Sequence, residues 1–230
     1  MIEASGVADP RKIAFYGAAH PRLRLDGMFV VADAETIRAR VHDKYVGELV
    51  VRQLATADLL VVSKTDLIDD TQQNEVRMFL HELVPDARIA KSVLGDLPTD
   101  VLLGIRETQT TANLQVVAAC SSNRRDHSHR FATCHFVSEQ PFSEERLRTA
   151  LNSLPDTVLR VKGLLYLQGG NARSTVLQLV GKRWSLEPGP PWKEGNRLTA
   201  LVAIGVAGLL DTEQVEGAFT AALADEYPSS

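Results

Sequence analysis

The chain has 230 residues, 44% hydrophobic and 23% charged, the composition of a folded globular protein, which excludes wholesale disorder. A net charge of −4 and a pI near 5.9 deny it the basic face that duplex nucleic acid requires, so no nucleic-acid partner is expected. The longest apolar run, Leu198 to Leu210, is about 13 residues against the roughly 20 of a bilayer span; with no basic, then apolar leader and only Cys120 and Cys134 as thiols, a cytoplasmic protein without a membrane partner is expected.

Asp9-Pro10 reads as an N-cap followed by proline at the first helical position, opening a short helix over 11–19 that ends near His20-Pro21. Met28 to Asp33 is an apolar run between a glycine and an acid, the pattern of a buried parallel strand. Helical spacing follows through 35–56, then a second buried strand, Leu59-Leu60-Val61-Val62. Asp70-Thr71 caps a helix over 72–83 with Val76, Phe79, Leu80 and Leu83 on one face, and Pro85 stops it. A weaker strand begins at Ile89, and a short helix runs from Leu97 to Ile105. Strand and helix in this alternation predict βαβ units on a parallel sheet, which binds ligands beyond the carboxyl ends of its strands.

Residues 107–130 are polar, with Ser121 to Arg130 free of aliphatics, and read as a linker between a domain at 1–106 and another at 131–230. Beyond it the spacing predicts a strand over 131–137, a helix over 144–153 opened by Ser143, and strands at 158–167 and 174–180 joined through Gly169-Gly170-Asn171. Strands at 182–186 and 198–204 and a helix over 211–225 complete a smaller α+β domain on a mostly antiparallel sheet.

Three positions carry chemistry. Ser63-Lys64-Thr65-Asp66 follows a buried strand, where a carboxylate can accept paired hydrogen bonds from the N1–H and exocyclic amine of guanine while a lysine stem covers the base. Adenine offers no such donor pair. Glu3 in Glu3-Ala4-Ser5-Gly6 is an acid of the type that holds Mg²⁺ or its water near phosphates. Asp33 reads as an acid at a strand end or as a plain helix N-cap. In the linker, His127 and His129, with Cys134 beyond it, combine imidazole and thiol as a candidate metal set, although the spacing is not that of a closed site and the same stretch reads as a solvated hinge.

The order Ile2-Glu-Ala-Ser-Gly-Val-Ala-Asp-Pro10, then Val30-Val-Ala-Asp-Ala34, then Gln53 and Ala57-Asp-Leu-Leu-Val-Val-Ser-Lys-Thr-Asp-Leu67, resembles the CobW-type GTPases, P-loop proteins of metal trafficking and metal-centre assembly. The resemblance continues through Phe136 to Ser143, Leu159 to Tyr166 and Leu186 to Trp192, which look like that family's C-terminal domain. It implies GTP and Mg²⁺ as cofactors, Zn²⁺ or Co²⁺ as the metal handled, and a metal-receiving client protein as partner. Residue by residue it implies that Glu3 sits near Mg²⁺ as a catalytic acid, that Gly6 senses the γ-phosphate, and that Ser63, Lys64 and Asp66 hold guanine. Serine stands where the family usually has asparagine.

Two departures qualify this. No Gly-x-x-x-x-Gly-Lys-[Ser/Thr] occurs, the only Gly-Lys being Gly181-Lys182 before Arg183, and the family's Cys-x-Cys-Cys motif is absent. The expectation is therefore a truncated family member with an incomplete parallel sheet, its strands at 28–32 and 59–62 both flanked by open edges, unable to hydrolyse GTP alone. The missing segment would come from a separate N-terminal half or be covered by a second copy. The alternatives are a non-catalytic interaction or metal-binding module, or an inert gene fragment.

Overall fold

The computed structural model describes residues 1–6, 8–103, 131–169, 172–192 and 197–225. The expected linker at 107–130 and the turn residues 170 and 171 lie outside the described residues. The chain forms two units, Met1–Leu97 with Val180–Arg183, and Pro98–Leu179 with Trp184–Ser230. No helix among the described residues is long and apolar enough to cross a membrane.

The first unit contains a three-stranded parallel sheet of β1 (Phe29–Asp33), β2 (Leu59–Ser63) and β3 (Arg88–Lys91), in that spatial order. Helix α1 spans Pro10–Ala19, and Asp9 caps it as the sequence predicts, its carboxylate accepting from the Arg11 N–H. No residue of α1 is buried. Between β1 and β2 the single helix expected over 35–56 is two helices, α2 (Ile37–Val41) and α3 (Gly47–Leu54). Asp43 makes the break: its Oδ1 accepts from the N–H groups of Tyr45 and Val46, an Asx turn competing with the helical ladder. Gly47 permits it, because a Cβ there would stand 2.3 Å from the Val41 carbonyl oxygen.

Helix α4 (Asp70–Leu83) starts two residues earlier than the spacing predicts. Asp69 is the cap, in a reciprocal capping box with Gln72, an arrangement worth about 1 kcal/mol. Burial weighs more: Leu60 and Val62 of β2 pack with Ile37, Val50 and Leu54 from α2 and α3 and with Val76 and Leu80 of α4, at roughly 1.5–3 kcal/mol per buried aliphatic side chain.

β2 does not have the open flank expected from the sequence. It is the middle strand, paired in register with β1 (Phe29 to Leu59 through Asp33 to Ser63) and with β3. Its apolar residues Leu59 to Val62 are buried, as in a parallel strand covered on its faces as well as paired on its edges. Among the described residues the far edge of β1 has no strand beside it, and Val31 of that strand is 67% exposed. Of the two strands expected to have open flanks, only β1 has one among the described residues; β3 is the other edge of the sheet.

The second unit opens with helix α5 (Thr99–Leu103) and carries a five-stranded sheet in the order β4 (Phe131–Ser138), β8 (Thr199–Val206), β5 (Val158–Leu165), β6 (Arg173–Val180), β7 (Arg183–Pro191). β8 runs antiparallel to both its neighbours. Helices α6 (Glu144–Ser153) and α7 (Thr212–Ala221) start at the caps Ser143 and Asp211. They bury Leu147, Leu151, Val215 and Phe219 against Cys134, Phe136, Val161, Leu177 and Leu201 of the sheet. Phe136, Phe142 and Phe219 meet there with ring centroids 5.4–6.5 Å apart.

β7 is longer than the predicted 182–186, running through Pro188, Pro190 and Pro191. Prolines lack the ladder N–H, and β7 tolerates them as an edge strand. Arg160 of β5 is only 2% exposed; its Nη1 donates to the carbonyls of Val101 and Leu102 at the end of α5, groups that a helix leaves without internal partners.

Gly163 marks the closest approach in this sheet: a Cβ there would lie 1.9 Å from the Ala200 carbonyl oxygen on β8. Backbone cannot yield as a flexible side chain does, so Gly163→Ala is expected to destabilise the second unit by about 3 kcal/mol, at the high end of overpacking costs. Urea denaturation followed by the fluorescence of Trp184 and Trp192 would measure it; an unchanged midpoint contradicts the assignment.

Candidate functional site

Parallel strands of one sheet point their carboxyl ends the same way, and the three ends of the first unit bring together Asp33, Ser63 to Asp66, and Ser92. The segment after β2 is fixed from several sides. Ser63 ends β2; its Oγ donates to the Ala32 carbonyl at 3.2 Å, and its own carbonyl accepts from the Ala34 N–H at 3.0 Å. Lys64 then adopts a left-handed backbone with φ 58°, a region that costs a residue with a Cβ roughly 1–2 kcal/mol. The chain turns there into a 3-10 turn, Thr65–Leu67, closed by the Leu67 N–H to the Lys64 carbonyl.

Thr65 is the inward anchor of that turn. It is buried, and its Oγ1 reaches the Ser92 carbonyl at 3.4 Å. Its carbonyl accepts from the Gln73 amide of α4 at 2.8 Å, and Lys91 Nζ in turn donates to the Gln73 Oε1 at 2.8 Å. The anchoring of Thr65 leaves Asp66, one residue on, at the surface. An exposed carboxylate on a fixed backbone can present both oxygens to a paired donor edge, which is the demand guanine makes.

The lysine turns toward β1. Its Nζ lies 2.6 Å from Asp33 Oδ2, while Asp33 Oδ1 accepts from the Glu35 N–H at 2.9 Å. Asp33 is thus both the cap that the sequence allowed and the partner of Lys64. The lysine's hydrogen bond, outweighing the opposing effect of burial and joined by the Glu35 N–H, holds the Asp33 carboxyl below the usual carboxylate range. The same bond raises Lys64.

A loop that the sequence reading passes over completes the arrangement. Ser92 is buried, donating its N–H to the Val62 carbonyl at 2.8 Å and its Oγ to the Asp96 carbonyl at 3.3 Å. Leu94 and Gly95 then take positive φ values of 52° and 78°, and the Leu94 side chain is 91% exposed. A bulky aliphatic in a left-handed conformation at a strand's carboxyl end is strain of the kind that collects at functional sites. Its sequence signal, Gly95 four residues after a weak strand, is visible only once that strand's end is placed.

Glu3 and Gly6 stand apart from this cluster. Residues 1–5 have no regular structure, and Glu3 is exposed. The Gly6 carbonyl accepts from the Gln53 side-chain amide of α3 at 3.0 Å, and the Ala8 carbonyl accepts from the same nitrogen at 3.0 Å, so Gln53 tethers the opening segment. His127 and His129 lie outside the described residues. Cys134 is buried in β4 with its Sγ 3.9 Å from Glu216 Oε1. Burial first, and then the Glu216 charge, push the thiol up to about 11, which keeps it protonated at neutral pH, whereas zinc binds thiolate. Burial lowers its neighbour His135, which favours the neutral ring. Among the described residues no three His, Cys, Asp or Glu side chains gather as a metal site.

Two family models match the chain, "CobW/HypB/UreG, nucleotide-binding domain" over residues 1–91 and "Cobalamin synthesis protein cobW C-terminal domain" over residues 131–223. It is 28% identical over 240 residues to the "Zinc chaperone CobW" of Pseudomonas aeruginosa, covering 89% of this chain and 62% of that protein. It is 24% identical over 261 residues to the "Zinc-regulated GTPase metalloprotein activator 1" of Saccharomyces cerevisiae, covering 94% and 60%. The chain therefore spans about three fifths of the length of these relatives. A solved structure of Zn(II)-bound YjiA GTPase from E. coli aligns at a TM-score of 0.40 with 21% identity, over 95% of this chain and 69% of that one.

Because the Cys134 thiol ionises only near pH 11, iodoacetamide at pH 8 is expected to leave Cys134 unmodified in the folded protein and to alkylate it once urea unfolds the chain. In folded protein the labelling rate should climb only as pH approaches 11. Mass spectrometry of the Cys134 peptide reads both; rapid labelling at pH 8 would contradict the assigned burial.

Proposed function

The chain belongs to the CobW family, and from that premise we propose that it supplies the base-recognising part and the C-terminal domain of a GTP-dependent metal chaperone, without the loop that grips phosphates. What carries the reading is Asp66, exposed on a turn that buried Thr65 fixes at the carboxyl end of the central strand β2. Its carboxylate accepts from the N1–H and amine of guanine, Lys64 covers one face of the base, and the Ser92–Gly95 loop borders the other side. Ser63 replaces an amide with a hydroxyl already bonded to Ala32, so it fixes strand geometry and adds little to base affinity.

The 230 residues contain no Gly-x-x-x-x-Gly-Lys-[Ser/Thr], and with it go the backbone N–H cradle, the phosphate lysine and the hydroxyl that binds Mg²⁺. Glu3 and Gly6 keep the acid and the γ-phosphate-sensing glycine of that site as proposed roles, with Glu3 beside Mg²⁺. The open edge of β1, a strand on which Val31 is exposed, is where a further strand would join. Zn²⁺ or Co²⁺ is the proposed cargo. Among the described residues Cys134 does not fit as its ligand, since its thiol stays protonated; His127 and His129 remain the candidates. The 131–230 domain, with a core of its own, is the proposed docking body for a metal-receiving client in the cytoplasm.

Three outcomes test this. The 230-residue chain, alone with GTP and Mg²⁺, is expected to release phosphate no faster than buffer, since the charge developing on a transferred phosphoryl group meets no preorganised donors; Mg²⁺-dependent turnover by the pure chain refutes it. Guanosine is expected to perturb the amide resonances of residues 63–67 and 92–95, with adenosine inert. Asp66→Asn should weaken guanosine about 10- to 100-fold, the worth of one or two charge-assisted hydrogen bonds, and favour xanthosine, whose C2 oxygen accepts from the new amide. Unchanged guanosine affinity removes Asp66 from the site.

A further inference from the structure

We propose that Asp33 is a positioning residue of the base site, holding Lys64 from the neighbouring strand so that the lysine stem stands as a fixed ledge for the purine. The inference rests on the reading of Ser63 to Asp66 as a guanine site and adds to it the residue that pre-sets its lysine.

Sheet register is the first support. Asp33 pairs directly with Ser63, so the last residue of β1 lies beside the residue that precedes Lys64. Three links tie that corner together: Ser63 Oγ to the Ala32 carbonyl, the Ala34 N–H to the Ser63 carbonyl, and Lys64 Nζ to Asp33 Oδ2 at 2.6 Å. The two backbone-anchored links fix both carbonyls flanking the ion pair, so the pair forms on a frame that is already rigid.

The second support is the division of labour between the Asp33 oxygens. Oδ1 is held by the Glu35 N–H at 2.9 Å, which sets the carboxylate plane and leaves Oδ2 aimed at the ammonium. The Asp33 side chain is 23% exposed against 54% for Lys64, so the acceptor is the sheltered, fixed member and the lysine is the one restrained. An exposed surface pair is ordinarily weak, because two long side chains must both be ordered. Here one of the two is short and already ordered.

The third support is backbone conformation. The φ of 58° at Lys64 redirects the side chain from the course an extended strand would give it, and the ion pair gives that turn a definite endpoint on β1. A lysine left free loses its rotamer freedom when a base binds; one held beforehand does not.

The test uses the 230-residue chain and guanosine, read by resonance shifts at residues 63–67. Asp33→Asn keeps an oxygen for the Glu35 N–H and puts an amide donor where Oδ2 accepted from Lys64, so the cap and the turn are expected to persist while the lysine is released, with an unchanged thermal midpoint as the control. Guanosine affinity should fall roughly three- to tenfold, the cost of ordering one rotamer-rich side chain at binding. Asp33→Glu, which keeps the charge, should recover part of it. In a Lys64→Met background, Asp33→Asn should change nothing further. An equal loss in both backgrounds makes Asp33 merely a turn cap and overturns the inference. Unchanged or tighter binding by Asp33→Asn overturns it as well, while the base site stands. A wild-type chain that guanosine does not perturb overturns the base site and this inference together.

Discussion

The pairing of β2 on both edges, with apolar residues on both faces, constrains the rest of the first unit. A one-residue slip of this strand would draw Asp58 or Ser63 into its buried apolar run, so its register is set. Its carboxyl end therefore leaves the sheet at a fixed point, and Ser63 to Asp66 emerge there. Thr65 turns inward onto Ser92 and Gln73, and Asp66 is left facing out. The candidate site follows from where the sheet stops, with its polar groups arranged by backbone that has little freedom to move.

In the second unit the same logic runs on an antiparallel sheet. β8 and β5 are interior strands and are buried along nearly their whole length, while β4 alternates and β7 tolerates prolines because both lie at edges. Gly163 lets β5 approach the Ala200 carbonyl more closely than any side chain allows. Arg160 is the costly member of this interior, a charge removed from water, and it is accommodated by two carbonyls at the end of α5. Cys134 illustrates the opposite treatment: its thiol is kept neutral by the burial that packs it against the helices.

Much of this is legible in the residues themselves. The strands at 29–33 and 59–63, the Asp9, Ser143 and Asp211 helix starts, and the parallel-then-antiparallel order follow from short-range chemistry: apolar runs, caps and turn residues. The break between α2 and α3 was not legible, because apolar spacing continues across it and only the Asp43 carboxylate, folded onto Tyr45 and Val46, interrupts the ladder. The extension of β7 through three prolines was missed for a related reason, since proline reads as a strand breaker until the strand is known to lie at an edge. In the site, Ser63-Lys64-Thr65-Asp66 was readable as a motif, whereas the Ser92–Gly95 loop was not, because the strand before it is four residues long.

By itself the sequence determined the alternation of elements, the resemblance to the CobW-type proteins, and the Ser63-to-Asp66 stretch as the candidate base site, since each is written in neighbouring residues. Only the tertiary structure decided which strand is central, which edge is open, and that Asp33 meets Lys64. Those are contacts between residues about thirty positions apart, set by sheet register, and register depends on how buried faces pair rather than on any local preference.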